Sequence, residues 1–150
     1  MPDLVLRLAR MEELATLEAL QMRASLVAEE YREALLAHPE AVQLPGWQVA
    51  DGHVFAALQD GEIVGFCVVL PREDGDAELD GMFVEPACWR AGVGRSLSVH
   101  ACAIASQRGA RHLHVVATPL ARKFYEACGF ELTGDAPTRF GPALAMRRAL

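Results

Sequence analysis

One mixed α/β domain is the fold class this sequence predicts, and three observations carry the prediction. The 150 residues are 52% hydrophobic and 23% charged, enough apolar side chain to bury a core without disulfide or metal staples. Two apolar runs flank Asp60-Gly61, the dipeptide of a tight hairpin, so the early sheet is antiparallel. In the second half, strand, long helix and strand patterns follow one another as a strand–helix–strand unit. This composition excludes collagen, coiled coil and long disorder. No apolar run reaches the roughly 20 residues of a membrane-spanning helix. Met1-Pro2-Asp3 begins no basic-then-apolar leader. The expectation is a cytoplasmic protein, with 1–150 as a single domain.

Leu4 to Leu8 reads as a short strand. From Met11 to about Ala24, Leu14, Leu17 and Leu20 give one helical face. Val27, Tyr31, Ala34, Leu35 and His38 repeat at helical spacing, and Pro39 ends that second helix. Residues 40–52, with Pro45 and Gly46, read as a loop. His53–Gln59 and Glu62–Leu70 are the hairpin strands. The second is almost entirely apolar, as a strand buried on both faces is. After an Asp-Gly turn within Arg72–Asp76 comes a strand over Ala77–Val84. A helix follows from about Gly94 to Gln107, stopped by Gly109. Arg111–Ala117 is a strand and Leu120–Cys128 a short helix. Phe130–Thr133 and Leu144–Arg148 close the sheet as an antiparallel pair.

Charge divides unevenly along the chain. Residues 1–88 hold 5 basic and 17 acidic side chains; residues 89–150 hold 9 and 3. Net acidity, −6 overall, argues against nucleic-acid binding. A basic second half suits a site that holds a polyanion, and an acidic first half suits something cationic. Cys67, Cys88, Cys102 and Cys128 are scattered without a Cys-x-x-Cys pair, so neither a disulfide framework nor structural zinc is expected. His112 and His114 could share a strand face and meet Cys102 or Cys128. Tight ligand spacing is lacking, and no metal is expected.

The segment richest in chemistry is Phe83 to Leu97. There a strand ends, and Gly92-Val93-Gly94 opens a helix flanked by Arg90 and Arg95. Glycines let backbone approach a ligand, and a helix start aims unpaired N–H groups at an anion, naturally a phosphate. A Rossmann fingerprint needs glycine where Leu97 stands. A P-loop needs Gly-Lys-Ser/Thr, but Arg95 follows Gly94. The run Trp89-Arg90-Ala91-Gly92-Val93-Gly94 resembles the pyrophosphate loop, Gln/Arg-x-x-Gly-x-Gly/Ala, of the GNAT superfamily of acetyl-CoA-dependent N-acetyltransferases, with Trp89 in its first place. Phe124-Tyr125-Glu126-Ala127-Cys128-Gly129-Phe130 is similar to the family's second landmark, Tyr-x-x-x-Gly-Phe. The resemblance covers about residues 53–133. It implies a mostly antiparallel mixed sheet of six to seven strands, splayed at the cofactor site, with about four helices.

It also implies roles. Acetyl-CoA is the expected co-substrate and an amine-bearing acceptor, small molecule or protein, the expected partner; a homodimer is compatible. The pantetheine arm pairs with the backbone of Met82, Phe83 and Val84. The phosphates meet Gly92, Val93, Gly94 and Ser96, with Arg90 and Arg95 assisting. Many relatives place a cofactor-contacting Asn near Thr118; this chain has no Asn, so Thr118 either takes that role or the role is vacant. In one branch of the superfamily a Glu eleven residues before the loop is the general base, and that place is Glu78. Asp80, two residues on and on the same face, is the other candidate. Gly81 marks a possible bulge in that strand. Tyr125 resembles the general acid that protonates the CoA thiolate, whereas Phe124, Cys128 and Phe130 read as core. The first two helices, Gln43–Trp47 and Thr138-Arg139-Phe140 are expected to line the acceptor pocket. The rival function is a catalytically silent acyl-CoA-binding or sensor module.

Overall fold

The computed structural model describes residues 3–27, 29–139 and 141–150, and only the backbone of residues 29–31. Phe140 and the Tyr31 side chain therefore lie outside the described structure. Seven strands, β1 (Leu4–Leu8), β2 (Val54–Gln59), β3 (Glu62–Pro71), β4 (Ala77–Val84), β5 (His112–Ala117), β6 (Glu131–Asp135) and β7 (Leu144–Ala149), form one mixed sheet. Their order is β1-β2-β3-β4-β5-β7-β6. Packing divides the chain into two compact units, Met1–Val68 with Gly81–Leu97, and Val69–Asp80 with Ser98–Leu150.

In the first unit β1 and β2 run antiparallel from Leu4↔Gln59 to Leu8↔Phe55. The β2–β3 hairpin turns at Asp60 and Gly61, both with positive φ (51° and 80°), as a two-residue hairpin turn requires. β3 is buried continuously from Val64 to Val69, the expected two-faced burial. Helix α1 (Leu14–Leu26) begins where the Glu13 carboxylate accepts the Arg10 N–H and pairs with Arg7 at 2.8 Å. Its Leu17 and Leu20 are fully buried, each contributing about 2 kcal/mol. Helix α2 (Glu29–Ala37) stops two residues before Pro39.

The loop expected over 40–52 is not one. It holds a 3-10 turn at Pro39–Val42 and a third helix, α3 (Gly46–Ala50), anchored by buried Val42, Leu44 and Val49. Five residues are too few to show a helical period, and burial rather than propensity selects that helix. With α4 (Val93–Gln107) and α5 (Arg122–Ala127), five α-helices stand where the resemblance led to about four.

In the second unit β4 and β5 run parallel over Ala77↔Leu113, Glu78↔His114 and Leu79↔Val115. β7 lies between β5 and β6, antiparallel to both. Leu113, Met146, Leu79 and Phe130 supply its core. Phe124 does not. It is 37% exposed, because on this one-and-a-half-turn helix the inward direction belongs to its neighbour Tyr125.

Candidate active site

The end of β4 and the turn after it belong to the first unit. Glu85 donates its N–H to the Val64 carbonyl (2.8 Å), so the backbone leaves β4 still tied to β3. Pro86 then starts a 3-10 turn, and Arg90 (φ 65°) and Gly92 (φ 86°) both take left-handed conformations before α4 begins at Val93. The Ser96 N–H is bonded to the Gly92 carbonyl at 3.0 Å. The N–H groups of Val93, Gly94 and Arg95 precede the first intrahelical partner and are left for another acceptor. A Cβ built on Gly92 meets nothing within 4 Å. Arg90 and Arg95 are exposed at its sides. The arrangement is a helix start with two cations nearby, and it fits a pyrophosphate.

Two features that hold this turn escaped the sequence reading. Gly65 of β3 is packed so closely that a Cβ there would lie 3.0 Å from the Phe83 carbonyl oxygen, 3.1 Å from Leu97 and 3.2 Å from Val93. Glycine at this point lets the first turn of α4 seat directly on the strand. Arg23 of α1 grips Glu85 with two donors, Nε to Oε1 at 3.0 Å and Nη2 to Oε2 at 2.6 Å. Trp89, in the place where the family pattern has Gln or Arg, turns its indole N–H onto the Val84 carbonyl at 2.8 Å. Gly81 has its own reason to be glycine: the Phe83 ring folds back to 2.8 Å from where a Cβ would sit. The same unit has an open groove of about 590 Å³ lined by Glu18, Met22, Glu40, Val42 and Gln43 among others. Both α1 and the Gln43 segment were expected to face the acceptor.

The acid–base candidates lie in the second unit. Burial alternates along β4, with Ala77 and Leu79 inward and Glu78 half-buried, which puts Asp80, exposed, on the face of Glu78. Glu78 is not isolated. Its Oε2 lies 2.6 Å from Arg72 Nη1, and the same guanidinium reaches Asp74 at 3.1 Å. His112 and His114 do share a face, but they meet Asp76 rather than a cysteine. Asp76 Oδ2 is 2.9 Å from His114 Nε2, while Oδ1 accepts the N–H groups of Arg111 and His112 at 3.2 Å each. These bonds, led by the one to His114, hold the Asp76 carboxyl below the usual carboxylate range. Asp74, Asp76 and His114 could reach one cation together, yet Arg72 already supplies positive charge to Asp74.

Tyr125 is 8% exposed, with its ring set edge-on against Phe124 and Phe130 at centroid distances of 5.2 and 5.3 Å. Thr118 stands at the N-cap of the Pro119–Ala121 turn, but its side chain makes no capping bond. Cys128 is buried, as its reading as core required, and burial pushes the Cys67 thiol up to about 12. Burial raises the Cys102 thiol as well, and neither Cys67 nor Cys102 is poised as a nucleophile by its surroundings.

The acetyltransferase (GNAT) family model matches residues 16–130, most of the chain and both landmarks. The chain belongs to this family. It is 28% identical over 91 residues to an uncharacterized N-acetyltransferase of Mycobacterium tuberculosis (strain ATCC 25618 / H37Rv), a match covering 59% of this chain and 58% of that protein. The chain thus aligns with less than two thirds of that relative's length. Its fold is shared by the PaiA N-acetyltransferase of Thermoplasma acidophilum, solved with coenzyme A, at TM-score 0.81 and 17% identity over 99% of both chains. The ribosomal-protein-S18-alanine N-acetyltransferase of Escherichia coli has it too, at TM-score 0.72 and 21% identity over 98% of this chain and 94% of that one. As a GNAT fold with a seven-stranded mixed sheet, the protein matches the expected class. Among the described residues no helix is long and apolar enough to cross a membrane.

Proposed function

We propose that this GNAT protein is an acetyl-CoA-dependent N-acetyltransferase that moves the acetyl group to an amine by direct attack. The observation that carries the reading is the Trp89–Gly94 turn. Its left-handed Arg90 and Gly92 lead into the start of α4, whose first N–H groups precede the intrahelical bonds, inside a region that the family model covers. A pyrophosphate satisfies those donors and the helix dipole together. Bound acetyl-CoA supplies the activated thioester; the chain supplies positioning and proton transfer. Val93, Gly94, Arg95 and Ser96 hold phosphate, Arg90 assists, and the β4 backbone at Met82 to Val84 holds the pantetheine arm. Thr118, whose hydroxyl is not spent on capping, takes the contact that relatives give to Asn.

Attack requires a neutral amine, and an ammonium near pKa 10 must first lose its proton. Glu78 and Asp80, the two carboxylates on the outer face of β4, are the candidates for that role. A proton arriving at Glu78 would have to break its charge-assisted bond to Arg72. Glu78 or Asp80 accepts the proton directly or through water. Tyr125 donates to the departing thiolate, its ring held in place by Phe124 and Phe130. The Glu18 carboxylate in the groove of the first unit suits a cationic acceptor.

The test is a pH–rate series at saturating acetyl-CoA, following amine-dependent thiol release. Whichever of Glu78→Gln and Asp80→Asn removes the base should lose roughly 10²–10⁴-fold in rate and regain part of it at high pH, where more amine is already neutral. Tyr125→Phe should lose a similar amount without alkaline recovery, because basic solution cannot supply the missing proton. If Glu78→Gln shows the alkaline rescue and Asp80→Asn keeps full rate, the base is Glu78. Tight CoA binding with no turnover on any amine of a broad panel would point instead to a sensor module.

A further inference from the structure

Because Glu85 donates its N–H to Val64, its backbone faces β3. Backbone direction alternates along a strand, so Phe83 faces β3 as well, and its carbonyl indeed lies against Gly65. Met82 and Val84 therefore turn their N–H and C=O groups away from β3. They form the free backbone edge at this end of β4, and one of its four groups is already engaged. The Val84 carbonyl accepts the Trp89 indole N–H at 2.8 Å. The next residue is held just as firmly. The Glu85 carboxylate takes two guanidinium donors from Arg23, and its N–H is tied to β3.

We propose that Trp89 and the Arg23–Glu85 pair are positioning residues for acyl-CoA, clamping Val84 and Glu85 so that the edge offers the Met82 N–H and C=O and the Val84 N–H in fixed positions. The proposal rests on the acetyl-CoA reading above and adds to it which backbone groups the pantetheine amides meet. Indole is suited to the task, because its N–H is a donor only and cannot compete for the Val84 N–H. A Gln or Arg side chain in that place is longer and more mobile, and would hold the carbonyl less firmly. Arg23 acts at a distance, from α1, through the side chain of Glu85.

The experiment compares CoA with adenosine 3′,5′-diphosphate, which carries phosphates but no pantetheine arm, by calorimetry on the full chain. Trp89→Phe keeps the ring and removes the N–H. CoA affinity is expected to fall about 3- to 10-fold, the worth of one hydrogen bond, while the diphosphate binds as before. KM for acetyl-CoA should rise by the same factor with kcat at saturation nearly unchanged. Arg23→Gln, an exposed helix substitution that leaves the fold intact if Trp89→Phe does not, should act in the same direction. The Arg23→Glu, Glu85→Arg double exchange should recover affinity that Arg23→Glu alone loses. Unchanged CoA affinity in both single variants overturns the proposal. So does an equal loss for CoA and the diphosphate, which would mark general damage to the turn. Failure of the unaltered protein to bind either ligand overturns the acetyl-CoA reading itself, and the clamp with it.

Discussion

The start of β4 and the turn beyond its end treat charge in opposite ways. Around Ala77–Asp80 the polar groups are side chains already matched to one another: Arg72 with Asp74 and Glu78, and Asp76 with His114 and two backbone N–H groups. Between Val84 and Gly94 the important polar groups are backbone, and side chains such as Trp89 and Glu85 serve to fix them. The first region is a closed network that joins the Arg72–Asp76 turn to β5. The second region holds, at a helix start, N–H groups that precede the first intrahelical bond. The difference teaches where each kind of recognition can be found. Backbone donors advertise a binding site by being left over, while carboxylates advertise one only when their neighbours do not consume them.

The largest effect expected from breaking the second region is at Gly94. Gly94→Asp places a carboxylate in the proposed phosphate site, and CoA binding should vanish in calorimetry while circular dichroism shows an intact fold. Next is Gly65→Ala. Its new methyl presses on the Phe83 carbonyl, Leu97 and Val93, and at least the backbone oxygen cannot step aside cheaply. A loss of about 1–3 kcal/mol in urea unfolding is expected, with weaker CoA binding as the helix start is pushed off the strand.

The smallest effect belongs to the closed network. The Asp76 carboxyl is held down in the folded chain, first by His114, so folding favours its ionised form. That contribution is complete well above the unfolded value near 3.8 and is lost as pH falls through it toward the lower folded value. Asp76→Asn should therefore be less stable than the parent at neutral pH. The gap between the two should narrow in urea melts taken from about pH 5 down to about pH 2. A gap that stays constant over that range would mean that Asp76 acts by shape rather than charge.

How much was legible beforehand depended on how local each cause was. The Asp60-Gly61 turn, the apolar run of β3 and the Gly92-Val93-Gly94 loop are set by backbone preferences within a few residues, and all were readable. Helix α3 was missed because burial of Val42, Leu44 and Val49, not a periodic pattern, holds that segment in place. Phe124 was assigned to the core by its type, but a helix of six residues has one inward direction, and Tyr125 occupies it. His112 and His114 were correctly placed on one face of a strand, yet the partner they found was Asp76, thirty-six and thirty-eight residues away.

By itself, then, the order of residues determined the strand and helix succession apart from α3, the glycine-rich start of α4 and the membership of a family, because glycine positions and hydrophobic periods act through local geometry. Tertiary structure decided what surrounds the β4 carboxylates. Glu78 and Asp80 stand two residues apart on one face of the strand, and the fold of the Arg72–Asp76 turn brings Arg72 to 2.6 Å from Glu78. Tertiary structure likewise gave Trp89 its part, since nothing local foretells that its indole will meet the Val84 carbonyl or that Arg23, sixty-two residues before Glu85, will grip that carboxylate. The physical reason is range: a hydrogen bond forms within about 3 Å, and only folding brings groups so far apart in sequence to that distance.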